Sequence, residues 1–519
     1  MHAFAKRLAL VLAALLLCPV PDSRTAEPAR PNVLVIVVDD MNDWTGFAGG
    51  QGVTPNLDRL AARGLVFPSM QAPATFCTPS RTAFLTGVHP ATSGHYRNQP
   101  ALFGMPEIAT LPAHFASAGY KVLGAGKVFH HMHGYLDRRG YAEYFAWNPA
   151  NREKGWPLLP WAPPAPTPKR PASAIPTYTG TPEFDFAALD DAVEDRMADS
   201  IDAKWAAEQV GRAHDRPFMM TIGFYAPHKP NYVPKKYFDL YPLEKIRPPH
   251  VPVNDLADLP GDPHVKPLCC LSPVKSPLNS GAWPIHKEIV DHGDWRVAIQ
   301  GYLAAMSYAD AQIGRVLDAL NAGPNRDNTV VVFLSDNGYH LGEKEKWAKH
   351  SLWQRTTGVP FIMAGPGIRT GRYDGVASLL DIYPTLLSLT HVAAPAHHLD
   401  GKDLRAVLSN PAKPMDRQVL IAGNEGEFAV VTDRWRYIRY LDGGEELYDR
   451  HADPNEWVNL ARDPARRKLM DGLARLIPAH PAKSKPDVEL GQVKLVVDGQ
   501  DFHWEAVPEG EIRASDTPD

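Results

Sequence analysis

The sequence predicts an α/β fold: a large doubly wound, mixed or parallel sheet flanked by helices, with a smaller antiparallel sheet subdomain at the C-terminal end. Three observations predict it. Short apolar runs of strand length recur through the first part of the chain and end in polar residues, the pattern of strands buried on both faces. Segments with apolar residues at helical spacing lie between them. Beyond Asp400-Gly401-Lys402 the runs become short, β-branched and aromatic, as in an antiparallel sheet.

Taken in order, Lys6 and Arg7 precede an apolar run over residues 8–17, too short to span a bilayer comfortably and in keeping with a secretory signal. Residues 1–26 are therefore expected to be a signal peptide, cleaved near Ala26, and the protein to be exported, periplasmic or secreted. Lipid anchoring at Cys18 would need a small residue where the bulky Leu17 stands. No other stretch reads as a transmembrane segment. Residues 32–38 (NVLVIVV) form the first strand and end in Asp39 and Asp40. Thr54-Pro55-Asn56 starts a helix with Leu57, Leu60 and Ala61 on its apolar face. Further buried parallel strands are expected at 121–125, ending in Gly126-Lys127, at 218–224, leading to His228, at 329–334, ending in Asp336-Asn337, and at 361–364. The clearest helix covers 294–320, where Ile299, Leu303, Met306, Ile313, Val316, Leu317 and Leu320 recur as core positions. Residues 156–182, rich in proline, and 250–292 read as insertions that wall a substrate pocket. Residues 430–440 and 446–449 are expected to be strands of the small sheet, with 494–497 as an edge strand. The main domain is thus set at 27–400 and an α+β subdomain at 401–519.

Ligands of open α/β sheets bind beyond the carboxyl ends of the strands, so the polar residues that end these runs are expected to meet on one edge. The net charge of −5 argues against nucleic-acid binding, which wants a basic surface. Four cysteines, of which Cys77, Cys269 and Cys270 follow the signal, are no disulfide framework; the adjacent pair reads as two loop thiols, with a strained vicinal bridge as the alternative.

The run Cys77-Thr78-Pro79-Ser80-Arg81, continuing to Leu85-Thr86-Gly87, resembles the signature of the type I sulfatases. The resemblance extends over nearly the whole mature chain: Val37-Val38-Asp39-Asp40, Thr54-Pro55-Asn56-Leu57-Asp58-Arg59-Leu60, Gly126-Lys127-Val128-Phe129-His130, Ser335-Asp336-Asn337-Gly338, Trp347-Ala348-Lys349 and Glu446-Leu447-Tyr448-Asp449. It is most like the iduronate-2-sulfatase branch. It implies an alkaline phosphatase-like fold, one Ca²⁺ ion, and oxidation of Cys77 to Cα-formylglycine by a maturation enzyme. The aldehyde hydrate is the family's nucleophile, and its second hydroxyl gives the route by which sulfate leaves.

In this reading Asp39, Asp40, Asp336 and Asn337, with residue 77, are the metal ligands; an all-oxygen set selects calcium, or less well magnesium, over zinc. Arg81 orients the diol, Lys127 and Lys349 cradle the sulfate, His130 serves the diol as a base, and His228 protonates the leaving oxygen. Pro79 places Cys77 at a helix start, where backbone N–H groups favour an anion. His131, His133, His340 and His350 lie near the motifs and are expected only to line the pocket. Two departures bear on the branch. Asn337 stands where that branch commonly has His, whereas the spacing of Lys127 and His130 is the branch's own.

The implied activity is hydrolysis of sulfate esters, on a sulfated sugar of a polysaccharide or oligosaccharide or another small sulfate ester. A phosphomonoesterase or phosphonate monoester hydrolase on the same fold is one alternative, and a non-catalytic sulfated-glycan-binding protein is another.

Overall fold

Every residue of β1 (Asn32–Asp39) is buried, and its alternating side chains feed two different cores. Leu34, Ile36 and Val38 join one apolar cluster, while Val33, Val35 and Val37 join the other. A strand with helices on both faces is wholly apolar for this reason. The computed structural model describes residues 30–99, 102, 104–130, 137, 139–145, 186–260, 282–485, 493–498 and 501–506. The expected signal segment, Cys18, residues 156–182, His131, His133, Cys269 and Cys270 lie outside the described residues, as does part of the 250–292 insertion.

The other strands of the main sheet are β2 (Leu65–Val66), β3 (Lys121–Gly126), β4 (Tyr141–Tyr144), β5 (Phe218–Pro227), β6 (Thr329–Ser335), β7 (Phe361–Ala364) and β8 (Gly371–Arg372). They lie in the order β8-β2-β7-β6-β1-β5-β3-β4. β1 runs parallel to both β5 and β6, and β3 runs parallel to β5. β7 corrects one expectation, because it pairs antiparallel with β6 and β2. Its four apolar residues carry no signal of direction, and burial on both faces serves either orientation equally.

The helices that cover the sheet are α1 (Pro55–Ala61), α2 (Cys77–Thr86), α3 (Leu111–Ser117), α4 (Ala198–Gly211), α5 (Trp295–Ala322) and α6 (Ile382–Thr390). All seven apolar positions expected on α5 are buried in the cluster that contains Leu34, Ile36 and Val38. Each such side chain contributes roughly 1.5–3 kcal/mol on removal from water. α5 also caps α1: the Asp310 carboxylate accepts the backbone N–H groups of Asn56 (3.1 Å) and Leu57 (2.8 Å), donors that a helix start leaves orphaned. On the other face, α2, α3 and α6 contribute Phe84, Leu85, Phe115 and Leu386 to the second cluster.

The C-terminal sheet has strands β9 (Val419–Ala422), β10 (Phe428–Val431), β11 (Trp435–Arg439) and β12 (Glu445–Asp449), all antiparallel in that order. One face packs Ile421, Ala429, Val431 and Ile438 against Leu352 and Trp353, which follow Lys349 in the chain. The other covers itself with α7 (Arg467–Ala474) through Met470 and Leu473. The strand expected at 494–497 is present as β13 (Val493–Asp498), but it pairs with β14 (Asp501–Ala506) in a separate hairpin instead of edging this sheet.

Candidate active site

Register brings the ends of four strands to one level. Val38 is paired with Phe224 and Ser335, and a bulge then sets Asp39 opposite Pro227, while Gly126 is opposite Gly223. Asp39, Lys127, His228 and Asp336 therefore leave the sheet together, as the strand ends predict. Asp40 turns the chain away at once with a left-handed backbone (φ 62°), a conformation rare outside glycine. Its N–H donates to Asp336 Oδ1 at 3.1 Å, which binds the ends of β1 and β6 to each other.

Cys77 is the first residue of α2, a helix buried along its whole length that ends at Gly87 with φ 73°. The thiol donates to Asp39 Oδ1 at 3.2 Å, lies 3.9 Å from Asp40 Oδ1, and receives Lys349 Nζ at 2.7 Å. One turn on, the fully buried Arg81 pairs with Asp336 Oδ2 at 2.7 Å and Asp39 Oδ1 at 3.3 Å, and donates to the Lys127 and Val128 carbonyls. Ser80 Oγ donates to the Asp336 carbonyl at 2.5 Å. Lys127 Nζ pairs with Asp39 Oδ2 and lies 4.7 Å from the centre of the Tyr225 ring. Lys349 Nζ also holds Asp40 Oδ1 at 2.6 Å.

Ligand atoms of Asp39, Asp40, Cys77 and Asp336 all lie within 4.8 Å of one another. Asn337 completes the set. Its Nδ2 donates to Asp40 Oδ1 at 2.7 Å and to the Gly338 carbonyl at 2.9 Å, while its Oδ1 is buried with no hydrogen-bond donor. A buried acceptor without a donor beside three carboxylates is what a hard divalent cation would satisfy, so the residues present fit calcium or magnesium.

Crowding also shows in the titration of these groups. Burial pushes Asp39 up, but Lys127, His228, Arg81 and Lys349 outweigh it and hold the carboxyl well below the usual carboxylate range. Asp336 is pushed up to about 7 by burial and by Asp39 and Asp40, against the pull of Arg81 and Lys349. The Cys77 thiol is raised well above its ordinary value by burial and by Asp39, so it is held protonated rather than activated.

His228 follows β5. The Lys229 carbonyl lies 2.6 Å from its Nδ1 and only accepts, so Nδ1 is assigned the hydrogen; Tyr225 Oη also lies 2.6 Å from that nitrogen. This leaves Nε2 facing Asp40 Oδ2 at 3.7 Å. Burial depresses the imidazole to about 4, with Asp40 and Asp39 opposing the fall and Lys349 and Lys127 adding to it.

The structure thus brings together Asp39, Asp40, Cys77, Arg81, Lys127, His228, Asp336, Asn337 and Lys349. His130 follows Lys127 on the same segment, but it is not among the groups hydrogen-bonded to the Cys77 thiol. His340 is buried and bonds to Ser351 Oγ at 2.9 Å. His350 packs beside Phe76, with ring centroids 4.7 Å apart and the planes tilted by 38°.

Sequence reading missed three supports. Asp199, on α4, accepts the backbone N–H groups of Tyr225 and Ala226, both at 2.9 Å, and so fixes the end of β5. Tyr225 stands between Lys127 and His228; its place in the run Phe224-Tyr225-Ala226-Pro227-His228 was the available signal. Arg436, on β11, donates to the Leu352 carbonyl at 2.7 Å and to Gln354 Oε1 at 2.6 Å, which pins the loop that delivers Lys349. That loop carries positive φ at Lys344, Glu345, Ala348 and His350, strain that the surrounding contacts must hold in place.

The sulfatase family model matches residues 31–392. A second model, described as N-sulphoglucosamine sulphohydrolase, C-terminal, matches 342–481. A sulfatase of Formosa agariphila is 36% identical over 472 residues, covering 87% of this chain and 87% of its own. Iduronate 2-sulfatase of Mus musculus is 31% identical, covering 70% of this chain and 69% of its own. Among solved structures, a 2-O GAG sulfatase is 25% identical, with 86% of this chain and 91% of its own covered and a TM-score of 0.62. Phosphonate monoester hydrolase of Agrobacterium radiobacter is 21% identical, with 86% and 95% covered and a TM-score of 0.66, a likeness of fold alone.

Proposed function

This chain belongs to the sulfatase family, and from that premise we propose an exported, calcium-dependent enzyme that works through formylglycine at residue 77 and releases sulfate from a sugar of a polysaccharide or oligosaccharide. Hydrolysis of a sulfuric ester, R–OSO3⁻ plus water to R–OH plus sulfate, is the family's reaction. The observation that carries the finer reading is the encirclement of Cys77 by four oxygen-bearing side chains and three cations.

Asp39, Asp40, Asp336 and Asn337 would hold the calcium ion, whose charge would lower the pKa of an adjacent hydroxyl and polarise a sulfate oxygen. Residue 77, once converted to the hydrated aldehyde, would supply one hydroxyl to attack sulfur and a second whose deprotonation would expel sulfate and restore the aldehyde. The remaining work falls to encoded side chains. Lys127 and Lys349 reach Asp39 and Asp40 from different elements, and they would hold the sulfate oxygens as charge develops on them. Arg81 keeps Asp39 and Asp336 in place and offsets their charge.

His228 is assigned the leaving oxygen. With Nδ1 fixed by the Lys229 carbonyl, only Nε2 is free to take up and deliver a proton. A bound sulfate ester adds a negative charge beside the ring and raises its proton affinity from the depressed value of the free site. His130 is retained as the group that serves the diol, on the strength of its motif position alone.

The sugar substrate is supported by relatives: iduronate 2-sulfatase and the 2-O GAG sulfatase are named for sugar or glycosaminoglycan sulfates. Export rests on the basic and apolar pattern of residues 6–17. Turnover of an aryl sulfate against the matching aryl phosphate tests the reading. Faster sulfate release is expected; faster phosphate release would move the chain to the phosphate or phosphonate class.

A further inference from the structure

A cleft of about 310 Å³ is lined by segments that continue from the strand ends of the site: Trp44 beyond Asp39-Asp40, and His340 beyond Asp336-Asn337. None of the residues gathered around Cys77 lines it. Its acidic side chains are each matched by a cation. Asp255 pairs with Lys344 at 3.1 Å, Glu343 with Arg355 at 3.0 Å, and Glu456 with Arg436 at 2.6 Å.

Arg247 is left over. Its main chain is clamped by the Gln51 side chain through two hydrogen bonds of 2.8 Å, yet its guanidinium meets no acceptor among the described residues. The backbone is thus fixed while the charge stays available. Around it stand aromatic groups. His250 and Trp457 pack edge to face with centroids 5.2 Å apart, and the Arg355 guanidinium lies 6.0 Å from the centre of the Trp44 ring. The indole N–H groups of Trp44 and Trp457 have no acceptor among the described residues, and both rings are half-buried.

Aromatic walls offer a sugar ring an apolar surface, indole N–H groups offer donors to hydroxyls, and a planar guanidinium binds a carboxylate or sulfate through two parallel hydrogen bonds. The volume is at the lower end for a small-molecule site, enough for about one sugar unit. We propose that this cleft binds an acidic sugar unit of an extended substrate, a uronate or sulfated pyranose other than the one being desulfated. The inference rests on the saccharide reading above, and it makes the preferred substrate an oligomer with charge on a neighbouring unit.

Two measurements on the full chain test it. In the first, Cys77→Ala protein is titrated calorimetrically with a sulfated, uronate-containing hexasaccharide, alone and combined with Arg247→Ala or Trp457→Ala. In the second, kcat and KM of the active protein and of each single variant are taken on the hexasaccharide and on 4-nitrophenyl sulfate. Each substitution should weaken hexasaccharide binding by roughly tenfold or more, the scale of a lost hydrogen bond to a charged group. KM for the hexasaccharide should rise while kcat/KM for the aryl sulfate stays within about twofold. Arg247 is exposed, so Arg247→Ala should keep the parent's thermal unfolding. Equal losses on both substrates, or hexasaccharide binding indifferent to Arg247→Ala, would overturn the cleft assignment. Absence of turnover on every sulfate ester would instead defeat the enzymatic reading, and the titration would still decide the cleft.

Discussion

Replacing Arg436 by Met should unfold this protein more easily by several kcal/mol and, before that, disturb the loop that carries Lys349. Arg436 is 0% exposed and Glu456 2% exposed, so their 2.6 Å ion pair is dry. Arg436 also donates to the Leu352 carbonyl (2.7 Å), Thr357 Oγ1 (3.0 Å), Gln71 Oε1 (3.0 Å) and Gln354 Oε1 (2.6 Å). Methionine fills a similar length but leaves the Glu456 carboxylate buried without its cation. Breaking such a pair costs about 3–5 kcal/mol. Gln71 still receives Thr357 Oγ1, and Glu456 Oε2 still receives the Gln354 N–H, so the further hydrogen-bond losses add less than their number suggests.

The pair itself is not a large net gain. Burial lowers the affinity of Arg436 for its proton even with Glu456 beside it, which means that desolvation exceeds the attraction. Removing both charges in Arg436→Met/Glu456→Gln should therefore cost less than Arg436→Met alone. The assay is a double-mutant cycle by thermal unfolding, read with activity on an aryl sulfate below the transition. At roughly 1 °C per kcal/mol for a chain of this length, the single variant should lose about 3–5 °C. A single variant within about 1 °C of the parent, or a double variant that shows the sum of the two single losses, would refute the reasoning.

Three further outcomes follow from the same geometry. His228→Ala should slow release of an alkyl sugar sulfate by roughly 10²–10⁴-fold and a nitrophenyl sulfate far less, since a good leaving group needs little protonation; equal losses on both would remove its acid role. Calcium should raise the thermal stability of the parent and leave Asp336→Ala unmoved, with activity lost in the variant and after chelation of the parent; a calcium shift retained in Asp336→Ala would displace Asp336 from the metal site. His89 should make stability fall with acid. Its Nδ1 accepts the Ala91 N–H at 3.0 Å and its Nε2 meets the Leu420 carbonyl at 3.2 Å, so the neutral form is fully bonded, and burial lowers its pKa to about 4 from an unperturbed 6.5. The unfolded chain then binds more protons, so this stability is complete above the unfolded value and is lost as pH falls from there toward 4. The loss between pH 7.5 and pH 5 is about 2 kcal/mol. Urea unfolding at the two pH values should show that difference reduced in His89→Gln, and an unchanged pH dependence would contradict the assignment.

Most of the site was legible because its residues stand where strands end. Asp39-Asp40 and Asp336-Asn337 each close an apolar run, and parallel pairing of such runs in register leaves their ends on one edge. The seven helical positions of α5 were legible for a related reason, since a long helix shows its core face directly in the spacing. Direction was not legible for β7, because four apolar residues read alike either way. Asp199 was hidden within a helix whose other residues give no hint of it; its role depends on meeting backbone N–H groups of a distant strand. Arg436 was hidden for the opposite reason. It sits among several arginines of one strand region, and only the packing of the C-terminal sheet on Trp353 selects it. Nothing in the local sequence of Arg247 distinguishes it from other surface arginines until the matched pairs around it are known.

The most direct measurement is the mass of the tryptic peptide ending at Arg81, taken from protein made alongside a competent maturation system and compared with the aryl sulfate turnover of the same sample. The predicted result is the lower mass of the aldehyde at residue 77, in a fraction that scales with activity across preparations. Full sulfatase turnover by protein in which Cys77 is wholly thiol would contradict the account.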